Sequence, residues 1–132
     1  MAQLLKILLI EDDSDDIELL EEAFRENNIT YSLEIIREGD KVLHYLETVK
    51  TLPHVIVLDF NLPKIHGRKI LQTIKSNVSL KDVPLIVLTT SAAKEDELFS
   101  ISMGAKHFIT KPVLMQDFSK IVKLIVKSAK FY

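Results

Sequence analysis

A chain of 132 residues with 47% hydrophobic and 27% charged residues suffices for one domain with a real core, and excludes a disordered or fibrous protein. It has no cysteine, which excludes a disulfide framework and thiolate chemistry, and no apolar run of transmembrane length. A formal net charge of −2 argues against a nucleic-acid binder, and a cytoplasmic protein with no membrane partner is expected. The charge is unevenly spread. Nine acids and one base lie between Glu11 and Glu26, whereas six lysines and one acid follow from Lys106 onward.

In chain order, Lys6-Ile7-Leu8-Leu9-Ile10 reads as a short buried strand that ends on Glu11-Asp12-Asp13. Ser14 or Asp13 can cap the helix that follows, Asp15, Asp16 and Glu18 suit its positive end, and Ile17, Leu20, Ala23 and Phe24 give it a buried stripe. Ser32–Arg37 predicts a strand nearer an edge, and Val42, Leu43, Leu46 and Val49 a second helix, closed by Pro53. His54–Leu58 is a wholly apolar run after its histidine, which reads as a strand buried on both faces and stops on Asp59. Ile70, Leu71 and Ile74 mark a third helix, and Leu85–Leu88 a fourth strand ending in Thr89-Thr90-Ser91. Leu98, Phe99 and Ile101 lie on a fourth helix, with Gly104 suited to the left-handed position past its end. A fifth strand, His107–Thr110, ends in Lys111-Pro112, and Phe118, Ile121, Val122 and Ile125 face one way on the last helix.

Five strand–helix pairs in alternation imply a doubly wound parallel sheet covered on both sides. The common order for five such strands, carried over from known sheets of this class, is 2-1-3-4-5. That order brings together the first and third strands, the two that end in carboxylates. Alone, Asp59 reads slightly better as a strand-ending turn residue than as a functional group. Beside Glu11 and Asp12 it becomes one of three crowded acids, which need a cation or a raised pKa on one of them. An all-oxygen set of this size suits Mg²⁺. Thr89 and Lys111 bring a hydroxyl and an ammonium to the same rim. An aspartate can attack phosphorus, while a metal, a lysine and a hydroxyl would stabilise the transferred phosphoryl group.

Glu11-Asp12, Asp59 with Asn61-Leu62-Pro63 and Gly67, Thr89, Gly104 and Lys111-Pro112, in this order at strand ends, resemble the response-regulator receiver domain of two-component signalling. The likeness covers about residues 6 to 127 and is similar in detail to the small stand-alone regulators that serve phytochrome-type kinases. It implies a flavodoxin-like (βα)5 fold, a single receiver domain over residues 1–132 with no output domain, and a phosphoacceptor signalling protein rather than an enzyme. Asp59 would be the phosphoacceptor. Asp12 and Asp59 would bind Mg²⁺ directly, Glu11 largely through water, and Asn61 through its backbone carbonyl. Thr89 and Lys111 would bind the phosphoryl group, the Lys111–Pro112 peptide would be cis, and Phe108 would be a switch aromatic. The donor would be a histidine kinase or phosphotransfer protein, and the signal a changed surface of the fourth helix, fifth strand and fifth helix. Asp13 reads as a helix cap. The tail Ala129-Lys130-Phe131-Tyr132 suggests docking, with a homodimer as one place for it, against the default of a loose terminus. Two other readings stay open, an aspartate-nucleophile phosphatase and a flavin- or nucleotide-binding module of the same architecture. The chain's three glycines make no phosphate loop for the latter.

Overall fold

The computed structural model describes residues 3–114 and 116–131. Strands and helices alternate as β1 (Leu5–Ile10), α1 (Ser14–Glu26), β2 (Tyr31–Ile36), α2 (Asp40–Thr48), β3 (Val55–Leu58), α3 (Gly67–Lys75), β4 (Leu85–Thr89), α4 (Lys94–Ser102), β5 (His107–Thr110) and α5 (Asp117–Ser128). Every pairing is parallel and the order is β2-β1-β3-β4-β5, as expected. The apolar runs explain the centre of the sheet. β3 and β4 are buried at every residue, while β5 is at most half-buried along its length.

Because side chains alternate along a strand, the same runs feed two cores. Leu8, Ile10, Ile56, Leu58, Leu85 and Val87 pack on one face with Val42, Tyr45, Ile70 and Leu71 from α2 and α3. Ile7, Leu9, Val55, Val57, Ile86 and Leu88 pack on the other with Ile17, Leu20 and Phe24 of α1 and Phe118, Ile121 and Val122 of α5. Asp13, not Ser14, caps α1: its Oδ1 accepts from the N–H groups of Asp15 at 2.9 Å and Asp16 at 3.2 Å. Asn28 takes φ 57° just past the end of that helix.

Three details differ from the sequence reading. In α2 the buried stripe is Val42 and Tyr45, and Leu43 is 51% exposed, a turn position away from that stripe. In α4 the buried side chain is Ser100, whose hydroxyl donates to the Asp96 carbonyl at 2.7 Å, whereas Leu98 and Ile101 face outward. The tail docks on its own chain: Lys130 N–H donates to the His54 carbonyl at 2.9 Å, and the Phe131 ring lies 4.3 Å from the His54 ring. Tyr132 lies outside the described residues.

Candidate functional site

The backbone ladder continues past the strands and fixes the stems of the predicted site residues. Glu11 N–H donates to the Ile36 carbonyl and Asp59 N–H to the Ile10 carbonyl, both at 3.0 Å, and Lys111 N–H donates to the Thr89 carbonyl at 2.7 Å. Glu11, Asp59 and Thr89 are all buried at this edge, and Asp12 is exposed beside them. Oxygens of Glu11, Asp12 and Asp59 lie within 4.8 Å of one another. Lys111 reaches in from the end of β5 with a nearly buried ammonium. Its Nζ is 2.6 Å from Glu11 Oε1, 2.7 Å from Asp16 Oδ2 and 2.9 Å from Asp59 Oδ2.

The sequence demanded a cation or a raised pKa, and the site has both. Burial, opposed by the Lys111 bond and reinforced by the charge of Asp59, pushes Glu11 up to about 7. Asp59 goes the other way. Burial alone would raise it, but the Asn61 N–H at 3.0 Å, the Lys111 ammonium and a hydrogen bond with Glu11 outweigh that and hold it below the ordinary carboxylate range. The Lys111 ammonium is likewise opposed by burial, yet its three carboxylate partners hold it above the ordinary lysine range. Asp59 is therefore the more acidic of the two buried carboxyls, and Glu11 is the one that takes up a proton as the pH falls towards 7 and below.

From the sequence, Asp16 has a role at the helix dipole alone. The structure makes it the third carboxylate on Lys111, one turn into α1 and 95 residues away in sequence. The heptad-like apolar spacing of α1 could have placed Asp16 on the sheet side, but nothing local names its partner. The Lys111–Pro112 peptide corrects another expectation: among the described residues no peptide bond is cis. The trans form is the more stable for most X-Pro bonds, and here the lysine reaches the acids without the turn that a cis bond would make.

The loop after β3 is closely built. Phe60 is buried, and a Cβ on Gly67 would overlap the Phe60 Cα and come within 2.5 Å of its Cδ1, so only glycine lets α3 start so close. Between them, Ile65 N–H donates to the Pro63 carbonyl at 3.0 Å across Lys64, which has φ 75°. That is the three-residue turn with a positive central φ, an uncommon and strained one. Asn61 donates from Nδ2 to Thr89 Oγ1 at 3.3 Å and to Thr90 Oγ1 at 2.7 Å. Ser91 N–H donates to Thr89 Oγ1 at 3.4 Å, and the Ser91 hydroxyl donates to Asp96 Oδ2 at 2.7 Å. Phe108 is half-buried on β5, edge-on to Phe60 with ring centroids 6.1 Å apart.

A carboxylate kept ionised, with an ammonium beside it and further acids able to hold a hard divalent ion, is equipped for phosphoryl transfer to oxygen. Residues 7–123 match the family model of the response regulator receiver domain. The chain belongs to that family. It is a phosphorelay receiver with the flavodoxin-like fold of two-component regulators. It is 35% identical over 122 residues to the response regulator Rcp1 of Synechocystis sp., covering 89% of this chain and 83% of that protein. The crystal structure of the phosphorylated cyanobacterial phytochrome response regulator RcpA superposes with a TM-score of 0.85 at 34% identity, over 95% of this chain and 93% of that one. The Mn²⁺-bound form of Rcp1 gives a TM-score of 0.81 at 35% identity, over 92% and 91% of the two chains. The acid cluster found here fits a divalent-metal site of the kind these receivers carry. Among the described residues no helix is long and apolar enough to cross a membrane.

Proposed function

We propose that Asp59 is the residue that receives the phosphoryl group, from a phosphohistidine of a histidine kinase or phosphotransfer protein. An ionised Asp59 oxygen attacks phosphorus, the new O–P bond forms as the N–P bond breaks, and the released electron pair stays on the imidazole of the donor. The observation that carries this reading is the placing of Asp59: it directly follows the central strand β3, accepts from the Asn61 N–H at 3.0 Å and lies 2.9 Å from the Lys111 ammonium, with oxygens of Glu11 and Asp12 within 4.8 Å. Lys111 binds an equatorial oxygen of the incoming group by exchanging one of its three carboxylate partners. Thr89 supplies its hydroxyl after rotating away from Asn61. The oxygens of Glu11, Asp12 and Asp59 fit Mg²⁺ in charge and hardness, with the Asn61 carbonyl as a further ligand. When bound, that ion neutralises charge on the phosphoryl oxygens.

Phe108 is the aromatic that responds, since it borders both Phe60 and solvent and can bury further when Thr89 moves. The signal then passes to a protein partner at the surface of α4, β5 and α5. The likeness to RcpA and Rcp1 supports a kinase of the phytochrome type as the donor. The test is to incubate the chain with acetyl phosphate and Mg²⁺ and weigh it. A mass gain of one phosphoryl group is expected, absent in Asp59→Asn and absent when the divalent ion is chelated. A gain that survives in Asp59→Asn would assign the chemistry to another residue.

A further inference from the structure

At the edge of the sheet opposite Asp59, a cleft of about 490 Å³ opens where α3 and α5 end and β4 and β5 begin. Lys75, Lys81, Lys106, Lys127 and Lys130 line it with one acid, Asp82, a net of +4 in a chain whose total is −2. Phosphoryl transfer uses none of them. The helix dipole accounts for Lys75 and Lys127, which stand in the last turns of α3 and α5. It does not account for Lys81 and Lys106, which lie outside any helix. Among the described residues, Lys75, Lys81, Lys106 and Lys127 form no ion pair, as is also true of Lys41, Lys50 and Lys123. What sets the cleft lysines apart is that they converge on one opening with Asp82 as the only acid lining it.

Lys75 is also held in position. Its stem passes over Gly104, 3.7 Å from where a Cβ would stand, and its Nζ donates to the Lys81 carbonyl at 3.2 Å. Burial pulls this ammonium below the ordinary lysine range, with Asp82 the only opposing charge.

We propose that this cleft binds a compact polyphosphate anion. Its volume lies in the range of small-molecule sites. Lysine ammoniums are point charges on flexible stems that grip tetrahedral phosphates, and no arginine is present to favour planar carboxylates. No aromatic side chain lines the cleft, so nothing there stacks a nucleobase. Free tripolyphosphate and a nucleoside triphosphate therefore bind alike, through the phosphates.

Calorimetric titration of the metal-free full chain with sodium tripolyphosphate and with ATP, at about 0.15 M salt, tests this. One anion per chain is expected, with affinities for the two ligands agreeing within about threefold. The Lys81→Gln/Lys106→Gln double variant, both positions exposed, should lose about tenfold or more in affinity. Lys41→Gln/Lys50→Gln, an equal change of charge on exposed residues elsewhere, should lose nothing, and Asp59→Asn should bind as the parent does. Three results would each overturn the proposal: no binding of tripolyphosphate, equal losses in the two double variants, or binding confined to a long single-stranded oligonucleotide.

Discussion

Glu11 is the acid of the cluster whose carboxyl is pushed up by burial. Its carboxyl titrates near 7 in the fold against an ordinary 4.5, so between those values the folded chain holds a proton that the unfolded chain has released. The sign follows directly: without metal, this contribution makes the protein less stable as pH rises from about 4.5 to about 7. The total is of the order of 3 kcal/mol for a shift of this size. Glu11→Gln should flatten that part of the stability curve, which urea unfolding at a series of pH values would reveal. Mg²⁺ affinity of the parent should rise over the same range as the ion displaces the proton. An unchanged slope in Glu11→Gln would mean that the proton resides elsewhere. At this scale the sequence was informative wherever a polar residue ended an apolar run, as with Glu11, Asp59, Thr89 and Lys111. It was silent on Asp16, since a first-turn acid has an adequate local reason to exist and its true partner depends on the fold bringing Lys111, just past β5, beside the start of α1.

The helices differ in how they are held. α1, α3 and α5 bury continuous apolar stripes, but α4 buries Ser100 and turns Leu98 and Ile101 to solvent. Polar contacts replace the missing stripe. Asp96 accepts from the Ser91 hydroxyl and from Arg68, whose Nη2 lies 2.6 Å from Oδ1, and the Arg68 guanidinium sits 5.1 Å above the Phe99 ring. The Ser91 bond, with the Arg68 charge, keeps the Asp96 carboxylate below its ordinary range. Asp96→Asn should therefore cost about 1–2 kcal/mol in denaturant unfolding. Amide exchange in α4 should quicken while that in α1 stays as it was. Equal quickening in both helices would show that Asp96 acts on global stability only. Periodicity located α4 in the sequence but could not say which way it faced, because three apolar residues within four positions point to no single side. The same weakness hid the exposure of Leu43.

Over the whole molecule, stability should follow the sheet order. β1, β3 and β4 are paired on both edges and covered on both faces, while β2 and β5 have an open edge and partly exposed side chains. Hydrogen exchange of the native protein should be slowest in β3 and β4 and fastest in β5 and α4 among the regular elements. Protection of β5 equal to that of β4 would contradict this ordering. The alternation of elements was legible because each buried strand is a short apolar run with clear breaks. The strand order was not, and came from knowledge of similar sheets. Polarity is also a property of the whole: acids gather at one edge of the sheet and lysines at the other.

His54 stands at the edge away from the acids, and its two contacts with the chain ends have a practical meaning. Its Nδ1 accepts from Lys6 N–H at 2.9 Å and its carbonyl accepts from Lys130 N–H at 2.9 Å. Residues 6 and 130 thus meet on one histidine, on the far side of the molecule from Asp59. A fluorophore, affinity handle or surface tether attached near either point leaves the approach of a phosphodonor open.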